Sequence, residues 1–153
     1  GLVLCQIYLG ALVAGLRAGL LYNTWPLIDG SLVPSTSALF FNDPWWRNFF
    51  ENPLTVQFVH RTAAYLLWLA AVAHAIDAVR TGRGGTTLSL ALAGAVTIQA
   101  AVGIGTVLYQ VPIELALLHQ AVAVVVLAIA VSHAERLMTS RITPQRVPFR
   151  GLR

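Results

Sequence analysis

Long apolar segments separated by polar connections dominate the hydrophobic pattern of this chain. A spanning helix needs about 20 mostly apolar residues, and four segments are long enough: 2–21, 54–79, 87–108 and 113–137. Because the connections at 80–86 and 109–112 are short, the last three segments are expected to be antiparallel neighbours. The pattern predicts an all-α, integral membrane four-helix bundle forming one domain over 1–153. A long outer loop at 22–53 and a tail at 138–153 complete it.

Composition supports lipid as the main surrounding of the chain. Hydrophobic residues make up 57% of the sequence, charged residues only 10%, and mean hydropathy is +0.71. This leaves too little polar surface to cover a soluble globule. The net charge of +4 comes from arginines, which gather at segment ends, so nucleic-acid binding is not expected. Cys5 is the only cysteine, which excludes an intrachain disulfide and a cysteine metal site.

The distribution of arginines predicts the orientation. Seven of the ten lie in the second connection, at the end of the fourth segment or in the tail: Arg80, Arg83, Arg136, Arg141, Arg146, Arg150 and Arg153. By the positive-inside rule the C-terminus is cytoplasmic and the loop at 22–53 faces outward. The chain opens inside an apolar run without an initiator Met. We interpret it as a fragment of a longer protein and not as a signal peptide.

Two histidines occupy matching positions in the second and fourth segments. His60 follows Pro53 by seven residues, and His119 follows Pro112 by seven. Since both segments are entered from outside, the two histidines lie at the same depth, about 10 Å past each proline at 1.5 Å per residue. Such residues are costly in a bilayer and mark function. Imidazoles from facing helices would hold a haem iron from both sides; the alternative is that each histidine hydrogen-bonds a neighbouring helix.

A second pair, His74 and His133, follows the first pair by fourteen residues. This matched spacing is typical of a two-haem transmembrane cytochrome b. Both residues are near the predicted cytoplasmic ends, where the helix dipole favours histidine without any ligand. Three interpretations remain: a one-haem protein, a di-haem cytochrome b that carries electrons, and a structural membrane subunit without a cofactor. Ser89 and Ser132 have no base at an interpretable spacing, so no hydrolytic triad is indicated.

The outer loop and the ends of the segments carry further signals. Asn52 and Pro53 are a cap and a first-turn proline for the second helix. Arg17 lies near the outer end of the first segment, where its side chain can snorkel or pair with an anionic group. Aromatic residues crowd the outer loop and predict an interfacial belt or a lid: Trp25, Phe40, Phe41, Trp45, Trp46, Phe49 and Phe50.

Four ordered motifs, at 10–19, 22–30, 51–61 and 117–120, together resemble the haem A synthase family in its proteobacterial and mitochondrial branch. The resemblance implies an eight-helix inner-membrane protein built from two four-helix halves related by a pseudo-twofold axis. This chain resembles the C-terminal half. The implied activity is oxidation of the C8 methyl of haem O to the formyl group of haem A, for use in cytochrome oxidase.

The resemblance also implies roles for residues. His60 and His119 fall on the two axial ligands of a haem b. Gln57 stands where the N-terminal half has a catalytic glutamate, so no catalytic residue is expected in this half, and the haem is expected to transfer electrons. Arg61 and Arg17 are the expected partners of the haem propionates.

The partners that the resemblance implies lie outside this chain. The substrate haem O is expected to bind to the other half, and haem O synthase is the expected protein that supplies it. The fragment alone is expected to be inactive. Monomer and homo-oligomer both stay open.

Overall fold

A computed structural model describes residues 1–82 and 85–142, with side chains up to residue 139. The described part of the chain is helical throughout, apart from connecting segments and one isolated bridge. Its helices are α1 (Leu2–Gly15), α2 (Ala18–Leu21), α3 (Thr36–Leu39), α4 (Asn48–Glu51), α5 (Pro53–Thr81), α6 (Thr86–Leu108) and α7 (Ile113–Ile142). A 3₁₀ turn at Trp45–Arg47 precedes α4.

Three of these helices, α5, α6 and α7, are long and apolar enough to cross a membrane, and α1 is a shorter apolar helix. In the packing, α6 contacts both α5 and α7, while α1 contacts α5 and α7. Ala71, Val96 and Val126 bring α5, α6 and α7 together in a buried apolar cluster. Large apolar side chains such as Leu66 and Val124 point outward, where lipid would cover them. The chain therefore has the structure of a multi-pass membrane protein.

The predicted first span at 2–21 is wrong in one respect, because the helix is interrupted at Leu16 and Arg17. Arg17 adopts a left-handed conformation with φ of 52° and begins the separate helix α2. Glycines on either side, Gly15 and Gly19, weaken a continuous helix here. The break lets α2 pack against α5 and α6. Ala18 and Gly19 become buried, and a Cβ on Gly19 would lie 3.0 Å from Val111 Cγ2.

The other helix boundaries lie close to the predicted ones. The sequence predicts 54–79 and 87–108, and α5 and α6 extend these by at most two residues at any end. The helix of the fourth segment continues past the predicted end of the span at 137, since 138–142 belong to α7. The sequence has no glycine or proline between 113 and 143, so nothing stops the helix at 137. Residues 143–153 of the predicted tail, and Arg83, lie outside the described residues.

The outer loop is folded onto the start of α5. Asn52 caps the helix by accepting from the N–H of Leu54 at 3.0 Å, as predicted, and Pro53 occupies the first turn. Its side-chain nitrogen also donates to the carbonyl of Ala38 at 2.9 Å. Thr55 donates to the carbonyl of Leu39. The start of α5 is thereby tied to α3, above the histidines of the membrane segment.

Candidate functional site

His60 faces α1 and is held there by two residues of that helix. The Nε2 of Gln6 lies 3.1 Å from His60 Nδ1 and donates to the carbonyl of His60, also at 3.1 Å. One turn further along α1, Gly10 lies over the imidazole, where a Cβ would be 3.2 Å from Cε1. Gly10 therefore permits the close approach, and Gln6 fixes the ring.

His119 has a similar setting on α6, with the glutamine at the other ring nitrogen. The side-chain nitrogen of Gln99 lies 3.4 Å from His119 Nε2. A Cβ on Gly103 would lie 2.7 Å from His119 Cε1 and 3.3 Å from Nδ1, closer than real Cβ contacts. The Nδ1 of His119 is buried without a partner within the described residues. The ring is packed against a helix surface that only glycine can provide.

The pair α1 and α5 and the pair α6 and α7 repeat one arrangement. In each pair, a glutamine and a glycine four residues later lie on one face of the first helix, since i and i+4 are neighbours in an α-helix. The histidine follows a proline by seven residues on the next long helix in both. Sequence reasoning found the prolines and histidines but missed Gln6 and Gly10, and did not connect Gln99 and Gly103 with His119. The signal was present as Gln-x₃-Gly in two apolar segments.

These residues fit a haem that is held by two histidines. A glutamine amide can present its oxygen to an imidazole, and the Nδ1–H then donates to it while Nε2 keeps a lone pair for a metal. The Oε1 atoms of Gln6 and Gln99 are both buried and have no hydrogen-bond partner in the described part of the chain. With its amide turned, Gln6 can accept such a proton from His60, whereas the amide of Gln99 lies beside Nε2 of His119.

Arg61 and Gln57, one turn apart on α5, both hold the outer loop. Arg61, half-buried, donates to the carbonyl of Tyr22 at 3.1 Å and to that of Leu27 at 3.2 Å. Gln57 is fully buried and donates to the same Tyr22 carbonyl at 3.0 Å. Arg17 is exposed at the break between α1 and α2. The role of both arginines as propionate partners stays a prediction.

His74 and His133 meet in a second cluster, at the other ends of α5 and α7. Their Nε2 atoms are 2.7 Å apart, and the ring centroids 5.0 Å. Ser89 of α6 places its Oγ 3.2 Å from His74 Nε2 and 3.3 Å from His133 Nε2. No base stands at an interpretable spacing from Ser89 along the chain, yet the fold brings two imidazoles to it. With rings in direct contact, the pair has no room for an iron and a porphyrin between them.

Comparison with known proteins places the chain among relatives of one kind. The sequence model of the COX15-CtaA family, described as a cytochrome oxidase assembly protein, matches residues 1–131. A heme A synthase of Rhodopseudomonas palustris (strain BisA53) is 61% identical over 137 residues, which cover 89% of this chain and 38% of that protein. A heme A synthase of Bradyrhizobium sp. (strain BTAi1) is 54% identical over 150 residues, covering 97% and 41%.

The chain thus spans about two fifths of the length of the curated relatives that it matches. No solved structure matches it. With most of its length matched by the family model and more than half of the aligned positions identical to these relatives, the chain belongs to the COX15-CtaA family of cytochrome oxidase assembly proteins.

Proposed function

We propose that this chain is the haem-b-binding, C-terminal half of a haem A synthase, the enzyme that oxidises the C8 methyl of haem O to the formyl group of haem A. The observation that carries the proposal is the repeated setting of His60 and His119. Each imidazole is fixed by a glutamine and packed against a glycine of the preceding helix. A histidine inside an apolar membrane helix costs free energy, and two histidines in matching settings are explained if both bind one ligand that lies between them.

The residues of the chain position the two imidazoles and keep water away from them. Gln6, at Nδ1 of His60, holds a proton there when its amide oxygen faces the ring, so that Nε2 offers a lone pair; the amide of Gln99 lies beside Nε2 of His119 and orients that ring. A haem b bound by His60 and His119 would supply reversible one-electron storage. The surrounding apolar helices exclude solvent from the rings.

The oxidation of haem O belongs, in this proposal, to the other half of the protein. Gln57, at the place of the catalytic glutamate, can hydrogen-bond but cannot take up a proton at neutral pH. In this structure it supports the Tyr22 carbonyl. A guanidinium has five N–H donors, so Arg61 can hold the loop carbonyls and still reach a propionate. Arg17 at the helix break is the second propionate partner.

The proposal includes the larger arrangement. The helices α1, α5, α6 and α7 form a four-helix bundle, one of two pseudo-twofold-related halves in the inner membrane, with the C-terminus in the cytoplasm. The arginine distribution supports this orientation. Haem O enters through the other half, supplied by haem O synthase.

The haem count of the purified protein tests the proposal. We expect one haem b per chain in detergent, by pyridine haemochrome assay and reduced-minus-oxidised spectrum. His60→Ala or His119→Ala should abolish it, because either change removes an axial ligand. His74→Ala, on the same helix as His60, is the matched control and should keep its haem.

Two haems per chain, with one surviving the loss of His60, would instead identify a di-haem cytochrome b. Protein that folds but is colourless would leave the structural membrane subunit as the function.

A further inference from the structure

The cluster of His74, Ser89 and His133 is separate from the haem site and is not used by it. It joins the three long helices, one residue from each, close to the connection between α5 and α6. Ser89 and His133 are buried, and His74 is exposed at the edge of the cluster. Three polar side chains thus meet at one point of the helix junction, each within hydrogen-bond distance of the other two.

The hydrogen bonds direct lone pairs of these side chains inward. Ser89 donates its hydroxyl proton to the carbonyl of Gly85 at 3.2 Å, one turn back on α6. Its oxygen therefore faces the two imidazoles with lone pairs. At 2.7 Å one neutral ring donates its Nε2–H to the Nε2 of the other, and a metal ion held between the rings would take the place of that shared proton. The three atoms together form a set of donors that a cation can share.

The geometry of the three donor atoms matches one face of a coordination tetrahedron. Donors bonded to a tetrahedral zinc ion at 2.0–2.1 Å lie about 3.3 Å from one another. The Ser89 Oγ lies 3.2 Å and 3.3 Å from the two Nε2 atoms, and the nitrogens lie 2.7 Å apart. Separating the two rings by about 0.6 Å would complete the triangle. Gly85 lies close to His133, where a Cβ would be 3.3 Å from Cε1, so only a residue without a side chain lets the ring sit this near to the start of α6.

We propose that His74, His133 and Ser89 form a binding site for a divalent transition-metal ion, zinc foremost, with water as the fourth ligand on the exposed side of His74. Imidazole nitrogens with oxygen donors suit zinc and its neighbours in the first transition row. Nowhere in the described ranges do three His, Cys, Asp or Glu side chains come together to hold a metal ion. The proposed ligand set therefore consists of two histidines, the Ser89 hydroxyl and a water molecule. The inference does not rest on the proposed haem function.

Zinc uptake measures the site directly. The protein, purified in detergent with its haem and stripped by chelator, is dialysed against Zn²⁺ and analysed for metal. One zinc ion per chain is expected, and His74→Ala should weaken binding at least about tenfold, as loss of a ligand does more than loss of a supporting contact. Ser132→Ala, a serine on α7 outside the cluster, should bind zinc as the unchanged protein does. No stoichiometric zinc, or equal uptake by His74→Ala, would overturn the proposal and leave a proton-sharing histidine pair.

A substitution that strengthens zinc binding tests the site even if variants that remove a ligand fail to fold. Ser89→Cys replaces the hydroxyl by a thiolate of similar size, a better ligand for zinc. We expect tighter zinc binding and, with Co²⁺ as probe, a thiolate-to-cobalt charge-transfer band that the unchanged protein lacks, although it contains Cys5. Cobalt bound by Ser89→Cys without that band would show that position 89 is not a ligand, and the site as proposed would be wrong.

Discussion

Because Gly103 has no side chain, α6 can approach the imidazole of His119 closely. A Cβ at this position would lie 2.7 Å from the imidazole, whereas a Cβ on Gly105 meets nothing within 4 Å. At Gly10 the corresponding distance to His60 is 3.2 Å, so the contact is tight but can relax. Within one helix, therefore, two glycines differ in role: Gly103 shapes the histidine site and Gly105 does not.

The substitution Gly103→Ala should displace the His119 ring and lower haem occupancy. Forcing a methyl group into a filled site costs about 1–3 kcal/mol, because the ring or the helix must move. Gly105→Ala is the matched control and should keep full haem occupancy, with helix propensity raising stability by up to about 1 kcal/mol. Haem per chain and the unfolding midpoint of both variants are the measurements. Equal haem occupancy in the two variants would contradict the role given to Gly103.

At the scale of elements, the start of α5 connects the outer loop with the membrane helices. Asn52 caps α5 and reaches α3, while Gln57 and Arg61 hold the carbonyl of Tyr22. His60 follows directly on this anchored turn. The outer loop thus fixes the height and rotation of the helix that carries the histidine.

Removing the cap by Asn52→Ala should destabilise the folded chain by about 2–4 kcal/mol, from the lost cap and the buried carbonyls left unpaired. The residue is 1% exposed, so water cannot replace these hydrogen bonds. Asn23→Ala, at a partly exposed asparagine of the outer loop, serves as control and should change little. Denaturant unfolding in detergent gives both values. A loss below about 0.5 kcal/mol for Asn52→Ala, the size of an ordinary surface substitution, would contradict the anchoring role.

At the scale of the whole molecule, apolar segment length predicted three long helices, because lipid fixes how long such segments are. The residue types at Asn52 and Pro53 predicted the cap of α5. Segment length did not predict the break at Arg17, which depends on α2 packing against α5 and α6. The pairing of His60 with α1, and of His119 with α6, depends on which helices are neighbours. The cluster around Ser89 likewise forms only because α5, α6 and α7 place one residue each at the same height. No spacing along the chain predicts that alignment.

The central claim is that His60 and His119 ligate one haem, and a ligand exchange tests it most directly. His119→Met supplies a thioether in place of an imidazole, and methionine ligation raises the reduction potential of a haem. We predict that this variant retains its haem, titrates at a higher midpoint potential and loses the bis-histidine spectrum, while His74→Met leaves both unchanged. An unchanged potential and spectrum in His119→Met, with a shift in His74→Met, would contradict the account.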